Sequence, residues 1–412
     1  MSAICRFALH ISDDMQKRWL SLISFCFLLV LNLNAQNLPK SKIDLQKIVA
    51  RSPVTIDLSQ NKVQIIVGEV RKNKSASPEI TYSSLGLNAE NYFYPASCVK
   101  LPVVILALEW LNEHKENGIT INSPFELISN SNCHSYKSLE ETKDDILSIE
   151  NCIKKMLLVS DNRSYNALFD LLGRDYINSK LKAKGYTKTQ IVKSFAGCPD
   201  SLLNFKPALN FSDGNREIVF HLDSISYVNP ISKLTFDARV GDSIMIDSVT
   251  TIAGAKDFSF NNYLPLDEGL DMLVQLIYPS KQSLWKITAK QRQFLMYWMS
   301  RYPKESRIKN YTSGKQYFDA YKKYLIYGRE EKPIKSDSLR IYNIVGLSYG
   351  FATDIAFIKA TKCKTAFFIA ATTYSNNDGV INDNKYDYQT IGFPFLKYLG
   401  KEIFNQFKIN KK

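Results

Sequence analysis

The sequence predicts one α/β domain in which strands from both chain ends form an antiparallel sheet and a helical lobe is inserted between them. β-branched runs occur near the N-terminus, helical patterns fill most of residues 140–335, and strand-type runs return before a closing amphipathic helix. The strand-type runs are 62–70, 79–82, 340–345, 353–358 and 365–373, and the closing helix is 394–407. The simplest packing takes the sheet from about 40–95 and 336–412 and the lobe from about 96–335.

The elements between these strands follow from local signals. Ser97 to Lys115 is densely apolar and ends at Asn117-Gly118, which predicts a helix. The lobe is predicted to contain helices at 149–158, 164–172, 266–277 and 289–299. Residues 195–262 are rich in Ser, Asp, Asn and β-branched residues, so we expect a long loop with short strands there.

Composition limits the class of protein. The chain has 412 residues, 45% of them hydrophobic, which suffices for a large core and excludes disordered, collagenous and multi-span membrane proteins. The net charge is +13, but the sequence contains no basic repeat with interleaved aromatic residues, so no nucleic-acid partner is predicted. There is no Cys-x-x-Cys pair, which argues against a structural zinc site. No metal site and no cofactor are predicted. The sequence indicates neither a disulfide pairing nor an oligomeric state.

The N-terminus predicts export. A basic stretch at 15–18 precedes an apolar run of about 15 residues that ends at the small residue Ala35. This run is shorter than the ~20 residues of a membrane-spanning helix. We therefore predict a signal peptide over residues 1–35, with Met15 as an alternative start, and a periplasmic or secreted mature protein over 36–412 with no transmembrane span. An uncleaved anchor is the alternative.

The first pattern that could carry chemistry is Ser97-Cys98-Val99-Lys100. Ser-x-x-Lys also begins at Ser59, Ser179, Ser283 and Ser306. Only Ser97 opens a strongly apolar helix, where Lys100 lies one turn on, along the same face. Helix N-termini present free N–H groups to an oxyanion, and a buried lysine loses its charge readily and can act as a base. A capping serine beside a surface lysine is the alternative interpretation.

Two further patterns follow in the chain. Ser160-Asp161-Asn162 lies between two predicted helices, where these residues could also serve only as a helix cap. Ile344-Val345-Gly346 lies on a predicted strand and is followed by the strand 353–358, which could be plain core. In this order the three patterns resemble the serine beta-lactamase and penicillin-binding-protein family, closest to its class A beta-lactamase-like branch, and the combination is far more specific than each pattern alone.

The resemblance implies a beta-lactamase/transpeptidase-like fold and an acyl-enzyme on Ser97. In that family's terms, Lys100 helps to deprotonate Ser97 and Ser160 relays a proton to the leaving nitrogen. Asn162 holds the substrate and Lys100, and the N–H groups of Ser97 and Leu347, next to Gly346, form the oxyanion hole. The expected partner is a small-molecule or peptidoglycan-like substrate with a beta-lactam, amide or ester bond.

The chain departs from the family pattern at two points. The Lys-[Ser/Thr]-Gly motif reads Ile344-Val345-Gly346, which lacks the cation and the hydroxyl that bind a substrate carboxylate. Arg340 lies on the same strand face but about 13 Å away at ~3.3 Å per residue. The deacylating Glu-x-x-x-Asn is matched best by Asp200 and Asn204, with a shorter acid. The alternative function is therefore a catalytically impaired binding protein that binds its ligand, or is acylated by it, without turnover.

A competing pattern is Gly346-Leu347-Ser348-Tyr349-Gly350, which fits the Gly-x-Ser-x-Gly nucleophile elbow. That elbow leads from a strand into a helix, and a catalytic histidine follows it in the chain. Here a strand is predicted to follow, and no histidine occurs after Ser348. The elbow is therefore disfavoured.

Overall fold

The structure is a computed structural model that describes residues 43–71, 78–129, 146–195, 204–215, 217–228, 230–280, 282–314, 316–334 and 338–409. The predicted signal peptide and Asp200 lie outside the described residues. Within the described ranges, no helix is both long enough and apolar enough to cross a membrane.

The described residues contain nine α-helices and fifteen strands, numbered here in chain order. The helices are α1 Leu45–Ala50, α2 Lys100–Glu113, α3 Ile149–Val159, α4 Asn162–Leu172, α5 Arg174–Ala183, α6 Leu266–Ile277, α7 Ala289–Ser300, α8 Lys309–Thr312 and α9 Phe393–Ile409. The strands are β1 Gln64–Arg71, β2 Glu79–Leu85, β3 Phe125–Ile128, β4 Phe205–Lys206, β5 Ala208–Ser212, β6 Ile218–Leu222, β7 Ile225–Ser226, β8 Arg239–Val240, β9 Ser243–Met245, β10 Thr251–Ala253, β11 Lys256–Asp257, β12 Leu339–Ser348, β13 Phe351–Ala360, β14 Thr365–Tyr374 and β15 Val380–Ile381.

A five-stranded antiparallel sheet joins the two ends of the described chain in the order β12-β13-β14-β1-β2. Strand β1 pairs with β14, so that Gln64 lies opposite Thr372. The prediction of one antiparallel sheet from both chain ends, with a helical lobe inserted between them, is confirmed. Strand β12 is an edge strand, and this edge borders the lobe.

The sheet separates two hydrophobic layers because successive side chains of a strand point to opposite faces. In β1, Ile66 packs with the helical lobe, whereas Ile65 and Val67 pack with the terminal helices. The lobe-side layer contains the apolar face of α6, and the other layer contains α1 and α9. The two layers together bury both faces of the sheet.

Helix α2 forms the centre of the lobe. Its residues from Lys100 to Leu111 are all buried, which is the pattern of a helix surrounded by protein on every side. Several lobe elements were not individually predicted, among them α5, which is largely polar and lacks a side-chain N-cap. The short strands β4 to β11 fall within the stretch predicted as a loop with short strands.

Candidate active site

Ser97 lies in a short 3₁₀ turn, Ala96–Val99, immediately before α2 begins at Lys100. The sequence predicted that the α-helix would begin at Ser97 itself. The preceding residue, Ala96, has a φ of 43°, in the left-handed region that costs free energy for a residue with a Cβ. Such strain is common at catalytic residues because the surrounding structure holds them in place. Ser97 remains partly exposed, whereas its neighbours are buried.

The amine of Lys100 connects the first two sequence motifs. Its Nζ lies 2.9 Å from Ser97 Oγ and 2.7 Å from Asn162 Oδ1. It also lies 2.6 Å from the carbonyl oxygen of Ser160 and 3.1 Å from Ser160 Oγ. The structure therefore brings together four of the residues predicted to act in one site: Ser97, Lys100, Ser160 and Asn162.

Burial changes the acidity of Lys100. The side chain is completely inaccessible to solvent. Burial lowers the pKa of Lys100 from 10.5 to about 7, although the nearby carboxylate of Asp161 favours the charged form. A large fraction of Lys100 is thus an uncharged amine at neutral pH, which is the form that can accept a proton.

The second motif owes its geometry to the junction of α3 and α4. Ser160 caps the C-terminus of α3 with a φ of 62°, and its N–H donates to the Met156 carbonyl over 3.1 Å. Asp161 caps the N-terminus of α4 and accepts from the Ser164 N–H over 2.7 Å. The chain therefore turns sharply between two fixed helix ends, which holds the side chains of Ser160 and Asn162 against Lys100.

The third motif lies where strand β12 approaches the turn that carries Ser97. A Cβ on Gly346 would lie only 2.3 Å from the Pro95 carbonyl oxygen, so this close approach requires glycine. Leu347 follows on the same strand, and its N–H remains the predicted second donor of the oxyanion hole. Ile344 and Val345 are buried in apolar surroundings and bring neither charge nor hydroxyl. Arg340 pairs with Glu305 through two contacts of 2.9 Å.

The nucleophile-elbow alternative is wrong for Ser348. Strand β12 ends at Ser348, and the next strand begins at Phe351. Tyr349 and Gly350, the two connecting residues, have φ values of 50° and 80°. This is the positive-φ, two-residue turn of a tight β-hairpin, and a helix does not follow it.

Asn204 makes a contact different from the one predicted. Its Oδ1 accepts from Arg174 Nη1 over 3.1 Å, at the start of α5. Its carbonyl accepts from the Tyr227 N–H over 2.8 Å. Within the described residues, no hydrogen bond links Asn204 with Ser97 or Lys100. With Asp200 outside these residues, a deacylating pair at 200 and 204 stays a prediction.

Two kinds of residue near Lys100 were missed by the sequence analysis. The rings of Phe195 and Tyr165 lie 5.3 and 6.0 Å from Lys100 Nζ and help to exclude water. The second kind is a buried lysine, Lys322, whose amine contacts the carbonyls of Leu157 and Met156 near the end of α3. Its aromatic and apolar neighbours Tyr321, Tyr324 and Leu325 were the only signal of burial. Across the described ranges there is no cluster of three or more His, Cys, Asp or Glu suited to a metal ion.

We compared the sequence with models of known protein families and found one match. The model of the beta-lactamase enzyme family matches residues 56–218, which include the first two motifs. No curated protein matches the chain.

Solved structures resemble the chain at low identity. A beta-lactamase from Sphaerobacter thermophilus DSM 20745 is 13% identical, with 89% of this chain and 98% of that chain covered and a TM-score of 0.48. A class A beta-lactamase from Clostridium kluyveri DSM 555 is 16% identical, with 88% and 99% covered and a TM-score of 0.47. A structure of PBP-A is 12% identical, with 90% and 100% covered and a TM-score of 0.46.

Proposed function

We propose that the chain is a hydrolase of the serine beta-lactamase and penicillin-binding-protein family that acts through an acyl-enzyme on Ser97, a proposal that the match of the beta-lactamase enzyme family model to residues 56–218 supports. The substrate is a beta-lactam or a related amide or ester. The observation that carries the proposal is the 2.9 Å contact between Lys100 Nζ and Ser97 Oγ, made by a buried lysine with a pKa of about 7.

The hydrogen bonds of Lys100 support its role as the base. A neutral amine has two N–H donors and one lone pair. Two of its neighbours, the Ser160 carbonyl and Asn162 Oδ1, can only accept, and they are the closest at 2.6 and 2.7 Å. They take both N–H groups, so the lone pair is left for a hydroxyl, and Ser97 can donate its proton to it.

The proton then has a short path to the leaving group. As Ser97 Oγ attacks the carbonyl carbon, its proton passes to Lys100 and the carbonyl oxygen becomes an oxyanion held by the N–H groups of Ser97 and Leu347. When the tetrahedral intermediate collapses, Ser160 Oγ gives its proton to the leaving nitrogen and takes one from Lys100, which lies 3.1 Å away. Water completes the cycle by hydrolysing the acyl-enzyme.

The test is intact-protein mass spectrometry after incubation with penicillins, cephalosporins and a neutral activated ester. We expect an adduct that disappears as product accumulates. Because Ile344 and Val345 supply neither the cation nor the hydroxyl for a substrate carboxylate, acylation by carboxylate-bearing substrates should be impaired. The loss of one charge-assisted hydrogen bond of about 1.5–3 kcal/mol corresponds to roughly 10- to 150-fold.

The outcomes separate the two functions. Val345→Thr, which restores a hydroxyl at nearly constant shape, should speed acylation by the penicillins more than acylation by the neutral ester. A stable adduct without product would favour the acylated binding protein. If wild-type protein hydrolyses penicillins at the rate of an efficient enzyme, the argument from Ile344 and Val345 is wrong.

We also propose that the protein is exported to the periplasm or the medium. The proposal rests on the basic, apolar and small-residue order of residues 15–35. The mature chain should begin near Gln36 or Asn37. Edman sequencing of the protein from its native envelope or medium fraction checks this, and recovery of intact N-terminal residues there would exclude cleavage.

A further inference from the structure

The segment before strand β12 carries two adjacent lysines that are both buried. Lys322 and Lys323 are each 3% exposed. Burying an amine costs free energy unless hydrogen bonds compensate, so each side chain requires acceptors. Their amines point to different elements, which makes the pair informative.

Lys323 forms its hydrogen bonds with the edge of the sheet and with the helix that packs beside it. Its Nζ donates to the carbonyls of Met299 and Ile341 over 3.0 and 2.9 Å, and to Asn343 Oδ1 over 2.6 Å. Asn343 in turn donates to Asp354 Oδ1 over 2.7 Å. These bonds hold Lys323 between α7 and β12, and within the described residues its amine has no hydrogen bond to α3.

Lys322 instead forms its hydrogen bonds with the end of α3, next to the candidate site. Its Nζ donates to the Leu157 carbonyl and lies 3.5 Å from the Met156 carbonyl. Both belong to the last turn of α3. The Met156 carbonyl also accepts from the Ser160 N–H, whereas the Leu157 carbonyl is one of the final carbonyls that have no partner within the helix. Its own backbone is fixed by Asn343 Nδ2, which donates to the Lys322 carbonyl over 2.6 Å.

Two buried amines therefore hold the same helix end. Lys100 donates to the carbonyl of Ser160, the residue that caps α3, and Lys322 donates to carbonyls three and four residues earlier. Burial, followed by the like charges of Lys323 and Lys100, lowers the pKa of Lys322, against the opposing effects of Asp354 and Cys98. An uncharged amine still has two N–H donors, which match the two carbonyls of Met156 and Leu157.

We propose that Lys322 is a positioning residue of the Ser97 site, which fixes the end of α3 so that Ser160 and Asn162 reach Lys100. It acts through Ser160 and does not contact the substrate. The inference rests on the proposed function and adds a residue that lies in none of the three motifs. A displacement of reacting groups by about 1 Å can cost on the order of 10²-fold in rate.

The test is a double-mutant cycle on the acylation rate constant of Ser97 at saturating acylating agent, measured by mass spectrometry at pH 8. Lys322→Met should slow acylation on the order of 10- to 100-fold in otherwise wild-type protein. In a Ser160→Ala background the same substitution should cost clearly less than in wild-type protein, because the Ser160 hydroxyl, one of the groups that Lys322 positions, is already absent. Lys323→Met, the matched control, should change the rate by less than about threefold.

Equal losses from Lys322→Met in both backgrounds, or equal losses from Lys322→Met and Lys323→Met, overturn the proposal. If Lys322→Met does not fold, Lys322→Gln keeps an N–H donor and takes its place. If neither Lys322 variant folds while Lys323→Met does fold, the role of Lys322 is purely structural and the proposal is overturned. If wild-type protein is never acylated, the proposed function fails. The cycle on melting temperature then still tests positioning, and additive shifts for Lys322 and Ser160 would refute it.

Discussion

Ser97→Ala should abolish the covalent adduct and reduce turnover to a small residual rate. The substitution removes the Oγ that forms the acyl bond and leaves the rest of the lysine's hydrogen bonds in place. Loss of the nucleophile in a serine hydrolase costs up to about 10⁶-fold in kcat, and a residual rate from binding and the oxyanion hole is expected. Intact-mass labelling and kcat with the best substrate of the panel measure the effect.

Ser348→Ala is the matched control for this experiment. Ser348 is also a serine near the same strand end, in the Gly-x-Ser-x-Gly pattern, but it opens a hairpin turn. Its replacement should leave labelling within about twofold of wild type, the range of an ordinary surface substitution. Labelling that survives Ser97→Ala and disappears with Ser348→Ala would reverse the assignment of the nucleophile.

Lys100→Met should slow acylation by about 10²- to 10⁴-fold, the usual contribution of a general base. In wild-type protein the acylation rate should rise with pH through about 7, the pKa of Lys100, and then become constant as the amine loses its proton. The variant should lack this rise. A pH profile of the acylation rate constant between pH 5 and 9 checks both points.

The same lysine makes stability depend on pH in a defined direction. The pKa of Lys100 is about 7 in the folded protein, below the ~10.4 of an unfolded chain. Between these values the unfolded chain binds more protons, so the contribution of Lys100 to the free energy of unfolding increases with pH across that window. Below pH 7 the whole cost of about 5 kcal/mol is present. From pH 7 to 10 the free energy of unfolding of wild-type protein should therefore increase relative to that of Lys100→Met. Urea denaturation of both proteins at several pH values measures this change.

Lys206→Met separates the two effects. Lys206 is 5% exposed, and burial lowers its pKa to about 8, but its position on β4 is outside the candidate site. Its replacement should alter the pH dependence of stability and leave the pH profile of acylation unchanged. Loss of the rise near pH 7 in this variant would show that Lys100 does not control the profile.

Local patterns in the sequence predicted the parts of the site that depend on local structure. The apolar run after Ser97 and the unique Ser160-Asp161-Asn162 turn are such patterns, and the order of strands and helices around them predicted the sheet. The 3₁₀ turn at Ser97 was not predicted, because it depends on the strained backbone of Ala96 and on the close approach of Gly346 to the Pro95 carbonyl. Both are consequences of tertiary packing.

Contacts between distant segments could not be predicted in the same way. From sequence alone, a pair of adjacent lysines is predicted to be exposed to solvent. Only the fold shows that Lys322 and Lys323 are buried. The spacing of Asp200 and Asn204 resembled a functional pair, yet Asn204 accepts from Arg174 because α5, an element that local signals did not predict, lies beside it. Spacing alone does not establish which residue faces the site.

The pairing of β1 with β14 has a consequence for the order of events during synthesis. Strand β1 is made early, but its neighbour in the sheet is made only after the whole lobe, and joining segments so distant in the chain is entropically costly and slow. The five-stranded sheet therefore cannot be completed until the C-terminal strands have been synthesised. Gly346 is also synthesised long after Ser97, so the close approach of β12 to the turn that carries the serine can form only after the lobe has been synthesised.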